Sequence, residues 1–280
     1  MSTKIIDGKA LSEEFKSRIR EEAICFENKN GRKIGLAVIL VGENPASKIY
    51  VRNKIIACER TNVRSFEYYL PETSSENEVI ELIEQINNSP EVDGLLVQLP
   101  LPSHMDEKKV LSHVSPSKDV DGFHAENAGN LLLGNQCLAA CTPSGIIELI
   151  KSTGTTIAGK HAVVIGRSNI VGKPIAMLLL QNDATVTICH SKTSNLNEIT
   201  AKADILVVAI GKKEFVTADM VKDGAVVIDV GMNRVDGKLY GDVKFDEVEK
   251  KASFITPVPG GVGPMTITML LSNTLKAAIR

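Results

Sequence analysis

HAVVIGRSNIVGKP, His161–Pro174, reads as a buried strand that runs through a glycine-bounded turn into a helix. The run HAVVIG is apolar without alternation, which belongs to a strand covered on both faces, as in a parallel sheet. Gly166 ends the strand and Gly172 opens a helical pattern over 172–182. A turn of this kind can offer backbone N–H groups to a pyrophosphate, or it can need its glycines for chirality alone. It is not GxGxxG, because Ser168 takes the place of the second glycine and the loop is longer.

Outward from this stretch, strands and helices alternate. On the C-terminal side come strand 184–190, helix 195–203, strands 205–211 and 225–231, and an apolar helix over Met265–Ile279. On the N-terminal side, Leu11, Phe15, Ile19 and Ala23 mark an amphipathic helix. It is followed by strand 34–42, helix 46–60 with Pro45 at its start, strand 63–70, a helix near 75–88 and strand 94–100. At LAACTPSG, Thr142 suits a helix N-cap and Pro143 the first helical position. The expected fold is α/β: two α/β domains around a cleft, the second a Rossmann-like, doubly wound parallel sheet. The expected boundary gives residues 1–141, with a C-terminal helix of about 268–280, to one domain and 142–267 to the other.

Composition narrows the class. Lys plus Arg is 32 against 34 for Asp plus Glu, a net charge of −2 that lacks the basic footprint of a nucleic-acid binder. The longest apolar run, Ile205–Ile210, is far too short to cross a bilayer, which takes about 20 residues. The start, MSTKIIDGKALSEEF, has neither an apolar core nor an Arg/Ser-rich leader, so a cytoplasmic protein is expected. Five cysteines without a CxxC pair read as reduced and mostly buried, and five histidines without ligand spacing argue against a metal.

Several residues carry chemistry. Tyr50 and Lys54 in YVRNK lie one turn apart on one face of the predicted helix, a pair able to pass protons or simply a surface lysine beside a tyrosine. Gln98 interrupts the apolar GLLVQLPLP at a strand end, so it needs a partner: a ligand, Lys54 or a neighbouring loop backbone. Asp119 and Asp121 in KDVDGFH are both suited to forming turns. The strand after the glycine turn ends in CHSK without the carboxylate that an NAD site places on the ribose, while Arg167 lies in the turn itself. A guanidinium with a hydroxyl suits a 2′-phosphate, so a bound dinucleotide is expected to be NADP; the other reading of Arg167 is a solvated loop charge. PVPGGVGPMT, 257–266, opens a helix but lacks the GK[ST] of a triphosphate loop.

YVRNK, VQLPLP, DVDGFH, GRSNIVGKP and PVPGGVGPMT, in this order, closely resemble the bifunctional methylenetetrahydrofolate dehydrogenase/methenyltetrahydrofolate cyclohydrolase family. The resemblance runs from Ile6-Asp7-Gly8-Lys9 to the last helix. It implies a folate substrate, oxidation of 5,10-methylenetetrahydrofolate with NADP, and hydrolysis to 10-formyltetrahydrofolate. The setting is one-carbon metabolism serving purine, histidine and methionine biosynthesis. It implies Lys54 as the proton-transfer residue, Tyr50 packed along the folate, Gln98 bonded to the lysine and Asp121 holding the pterin. It places Pro259, Gly260 and Gly261 on the folate side. Gly166, Arg167, Ser168, Ser191 and Met232 line the nucleotide, Met232 standing where relatives often have Ile or Thr. Relatives suggest a homodimer through the nucleotide domain. Two other readings remain: another two-domain NAD(P) dehydrogenase, such as a shikimate or amino-acid type, and a non-catalytic nucleotide-binding regulator.

Overall fold

The computed structural model describes residues 3–280. In chain order the elements are β1 (Lys4–Ile5), α1 (Gly8–Asn30), β2 (Gly35–Val41), α2 (Pro45–Arg60), β3 (Arg64–Leu70), α3 (Glu76–Asn87), β4 (Gly94–Val97), α4 (Glu107–Ser112) and α5 (Ala125–Leu133). They continue with α6 (Cys141–Ser152), β5 (His161–Ile165), α7 (Gly172–Gln181), β6 (Thr185–Cys189), α8 (Leu196–Thr200), β7 (Ile205–Val208) and β8 (Val226–Asp229). The last are β9 (Asn233–Val235), β10 (Lys238–Tyr240), α9 (Phe245–Val248), β11 (Phe254–Ile255) and α10 (Val262–Ile279). The chain forms two compact units, one of the residues up to Glu13 with Thr142–Thr266, the other of Glu14–Cys141 with Ile267–Arg280.

The first unit holds a parallel sheet in the order β1-β11-β8-β7-β5-β6. From β5 the chain moves one way to β6 and the other way to β7, which makes the carboxyl ends of β5 and β7 the point where the winding reverses. Four of the five β5 residues are buried, and Val163, Ile165, Leu206, Val208 and Val227 share one apolar core. The placement of the N-terminal segment differs from the sequence expectation, which put it in the other domain. Lys4 and Ile5 pair in parallel with Phe254 and Ile255, and Ile6 N donates to Ile255 O at 2.9 Å, so backbone pairing draws this stretch onto the sheet edge.

Two local readings are corrected here, and one element is added. Helix α6 starts at Cys141, so Thr142 lies inside it, and its Oγ1 shares a 2.9 Å hydrogen bond with Thr266 Oγ1 instead of capping. Helix α8 stops at Thr200, because Ala203 packs into the core and Asp204 N already donates to His161 O (2.9 Å) at the entry to β7. The β9–β10 hairpin was unforeseen: Asp236 and Gly237 both have positive φ, +49° and +77°, as a tight two-residue turn requires.

The second unit is built on a three-stranded parallel sheet, β3-β2-β4. All seven residues of the central strand β2 are buried, which accounts for its unbroken apolar sequence. Asn44 caps α2, its side chain accepting from Ala46 N and Ser47 N, with Pro45 at the first helical position. Ser75 and Glu78 form a reciprocal capping box on α3. The stretch from 98 to 140 folds further than its sequence suggested, into α4 and α5, capped by Asp106 and His124. Between them the chain runs briefly beside β4: Leu95 bridges Asp119 in parallel, and Leu95 N donates to Lys118 O at 2.7 Å.

Candidate active site

In the second unit the carboxyl ends of the strands gather three polar side chains. Helix α2 leaves β2 and carries Lys54, which is half-buried, while Gln98 directly follows β4. Gln98 N donates to Ile39 O of β2 at 2.9 Å, which locks the residue against the sheet. Lys54 Nζ donates to Gln98 Oε1 at 3.0 Å, and Gln98 Nε2 donates to Leu99 O at 2.7 Å. With both ends committed the amide has one orientation, since a flip would turn Nε2 onto the lysine amine. Of the three partners open to Gln98 in the sequence, two are present together. An amine carries up to three donors, so this contact aims Lys54 without using up its capacity. Tyr50 lies one turn earlier on α2 with 42% of its surface exposed.

Asp121 follows the Leu95–Asp119 bridge, and by that parallel register it stands level with the end of β4. The two acidic residues of KDVDGFH divide the work. Asp119 forms the turn: its carboxylate accepts from Phe123 N (3.2 Å), His124 N (2.8 Å) and Asn127 Nδ2 (2.9 Å). Asn273 of α10 ties the loop down, donating to Val120 O and Ala139 O at 2.9 Å each. Burial pushes the Asp121 carboxyl up to about 6, opposed by the nearby Lys54 charge and aided by the Asp119 charge. The carboxylate therefore senses the charge of the lysine.

The first unit has a cleft of about 260 Å³ at the point where the sheet winding reverses, and Gly166, Arg167, His190, Ser191, Ile210 and Lys212 are among its lining residues. Gly166 has φ +131°, in the region where side chains are strained, and a Cβ there would drive into Ala209 O. Gly172 starts α7 so close to Gly166 that a Cβ would collide with that residue's carbonyl. Both glycines thus serve close approach of strand, turn and helix. Ser168 Oγ accepts from Val171 N and Gly172 N at 3.2 Å each, turning the first amides of α7. The lining carries Arg167, Lys212 and His190 and no carboxylate, so the cleft suits an anion. Glycine closeness, the helix start and this charge together fit a phosphate-bearing dinucleotide.

Family models match both units. The catalytic-domain model of tetrahydrofolate dehydrogenase/cyclohydrolase matches residues 6–121, and its NAD(P)-binding-domain model matches residues 140–280. The chain belongs to the tetrahydrofolate dehydrogenase/cyclohydrolase family. It is 57% identical over 277 residues to the bifunctional protein FolD of Listeria innocua, covering 99% of this chain and 97% of that one. The crystal structure of the bifunctional FolD dehydrogenase/cyclohydrolase of Campylobacter jejuni superposes with a TM-score of 0.97 at 49% identity, covering 99% of each chain. That of Trypanosoma brucei, complexed with NADP cofactor and inhibitor, gives 0.95 at 38% identity, covering 100% of this chain and 98% of the other.

In this tetrahydrofolate dehydrogenase/cyclohydrolase, Lys54 and Gln98 are in contact, with Asp121 within charge range. Gly166, Arg167 and Ser191 share the cleft of the first unit. Ser168 serves the start of α7 and is not a lining residue, and neither is Met232, which is 49% exposed beside β9. Pro259, Gly260 and Gly261 lie in the unit that holds Thr142–Thr266, where Gly261 N donates to Pro257 O at 2.9 Å. Gly8 of the N-terminal motif packs on Gly261, so two motifs from opposite ends of the chain meet. The cleft also takes in His190, Ile210, Lys212 and Phe215, which the sequence reading missed. Their one signal was position, at or soon after the carboxyl ends of β6 and β7. Among the described residues no group of three or more His, Cys, Asp or Glu is gathered as a metal site, and no helix is long and apolar enough to cross a membrane.

Proposed function

We propose that the chain oxidises 5,10-methylenetetrahydrofolate to the 5,10-methenyl cation with NADP, then hydrolyses the cation to 10-formyltetrahydrofolate. The observation that carries this reading is the Lys54 amine held 3.0 Å from Gln98 Oε1 and within charge range of Asp121, in a chain of this family. Bifunctional relatives matched over nearly the whole chain support the pair of activities, and the NADP-bound neighbour supports the cofactor.

NADP, when bound, accepts the hydride that leaves the methylene carbon. Asp121 holds the pterin, whose adjacent N–H and NH₂ groups a carboxylate accepts in a fork. Tyr50 packs along the folate, and Pro259, Gly260 and Gly261 contribute to the folate side. In the hydrolytic step a water oxygen bonds to the methenyl carbon and loses one proton to solvent. The bond from that carbon to N5 then breaks, its electron pair going to N5, which takes a proton from Lys54 Nζ. The hydroxyl proton passes to Lys54 as the formyl C=O forms on N10, which restores the ammonium. Gln98 keeps the amine directed through both transfers.

Gly166, Arg167 and Ser191 hold the nucleotide in the cleft, with the Arg167 guanidinium and the Ser191 hydroxyl on the 2′-phosphate, while Ser168 sets the start of α7 beside it. Arg167→Ala should raise the KM for NADP by about ten-fold or more, the range of a hydrogen bond to a charged group, and leave that for NAD nearly unchanged. Equal effects on the two would remove the 2′-phosphate role. The overall reading is tested by following methylenetetrahydrofolate with NADP⁺ or NAD⁺ spectrophotometrically through formation and decay of the methenyl species. Reduction of NADP⁺ without methenyl decay above the uncatalysed rate would leave only a dehydrogenase.

The protein works as a homodimer through the nucleotide-binding unit, which sedimentation of the wild type checks. It works in the cytoplasm.

A further inference from the structure

Asp242 lies outside every motif that carries the family resemblance, and it is fully buried. Its carboxylate collects donors from two segments. Oδ2 accepts from Ile210 N at 2.7 Å and Gly211 N at 2.9 Å, and Oδ1 accepts from Lys212 N at 2.8 Å and Asn233 Nδ2 at 2.9 Å. Three successive amides of the loop after β7 thus converge on one buried anion. Ile210 and Lys212 line the nucleotide cleft, and Asn233 adjoins Met232.

Asp242 is itself held. Asp229, at the end of β8, accepts from Asp242 N, Gly231 N and Val243 N, each at 2.9 Å. A side chain on Gly231 would run into the Asp242 carboxylate, so the glycine leaves room for it. A buried carboxylate is costly unless charge-assisted hydrogen bonds offset its desolvation. Gly211 and Lys212 are exposed residues, whose amides water could have satisfied. Spending a buried charge on them fixes one conformation of that loop.

We propose that Asp242 is a positioning residue for nucleotide binding: it holds the Ile210–Lys212 wall of the cleft in its binding conformation and ties it through Asn233 to the Met232 segment. The proposal rests on the reading of this cleft as the NADP site. Each carboxylate oxygen accepts two N–H groups, so neither orientation of an amide can replace it: one edge always sets an NH₂ against two donors.

The test uses the full chain and the Asp242→Asn variant, reading NADPH dissociation by fluorescence, KM for NADP and for the folate, and hydrolysis of methenyltetrahydrofolate without nucleotide. The expected result is weaker NADPH binding by about ten-fold or more, the range of hydrogen bonds to a charged group, with the folate KM and nucleotide-free hydrolysis within about two-fold. A residue needed only for folding would lower both activities together. Asn233→Ala, which removes one donor and keeps the three amide bonds, should weaken NADPH binding by about three-fold or more, and it decides the matter should Asp242→Asn fail to fold. Unchanged NADPH affinity in the folded variants, with wild-type binding intact, overturns this proposal alone. Failure of the wild type to bind NADPH overturns the reading of the cleft and the proposal with it.

Discussion

Lys54→Met is expected to abolish hydrolysis of the methenyl cation, a loss of about 10²- to 10⁴-fold from removal of a positioned proton donor and acceptor, while folate and NADP still bind. Methionine keeps the unbranched shape of the side chain, and the buried face of α2 is made by Ser47, Val51, Ala57 and Cys58, so the helix should hold its place. Gln98 Oε1 loses the amine that stands 3.0 Å away but keeps its backbone anchor on β2. Lys54→Arg separates charge from proton transfer, because a guanidinium keeps the positive charge but does not release a proton near neutral pH. Decay of methenyl absorbance in both variants, with folate binding measured alongside, is the check. Wild-type hydrolysis in Lys54→Arg would assign the lysine an electrostatic role only, and wild-type hydrolysis in Lys54→Met would end the assignment.

Asp121→Ala should weaken folate binding by about 1.5–3 kcal/mol, the worth of hydrogen bonds to a charged group, with little change in the KM for NADP. The carboxyl carries a pH signature as well. Burial holds it at about 6, so below that pH the protonated group has lost acceptor capacity and folate affinity should fall. Affinity in the wild type should therefore rise as pH increases through about 6, and Asp121→Asn should flatten the curve. The stability effect has the opposite sign. A folded-state value raised above the ordinary 3.8 favours the fold below 3.8, and that contribution is lost as pH rises through about 6. At pH 7 Asp121→Asn should then melt no lower than the wild type, so that weaker folate binding cannot be assigned to unfolding. Asp229 is also held up at about 6 by burial, in the other unit, and remains in the variant as an internal comparison. An unchanged folate KM across this range would remove Asp121 from the pterin site.

Much of the site was legible because its parts announce themselves locally. Gln98 is a polar residue in an apolar run, and burying its amide requires a partner wherever the chain goes. Tyr50 and Lys54 share a helix face by spacing alone. Asp119 and Asp121, in contrast, look alike in KDVDGFH; only the folded loop makes one the acceptor of three turn donors and leaves the other level with the end of β4. His190, Lys212 and Phe215 carry no motif, and they become cleft residues because the strands before them flank β5.

Short-range physics determined what could be read directly from the chain. Unbroken apolar runs mark β2 and β5 as buried strands, Pro45 starts its helix, and Gly166 permits a turn closed to other residues. Each of these depends on neighbours within a few positions. Tertiary structure alone decided the strand order, the capture of the N-terminal segment by β11, the contact of Lys54 with Gln98 across 44 residues, and the convergence of three amides on Asp242 from 30 to 32 residues away. Lys54 and Gln98 meet because the parallel strands bring their carboxyl ends to one edge, and a distance closed through the fold leaves no periodic trace in the sequence.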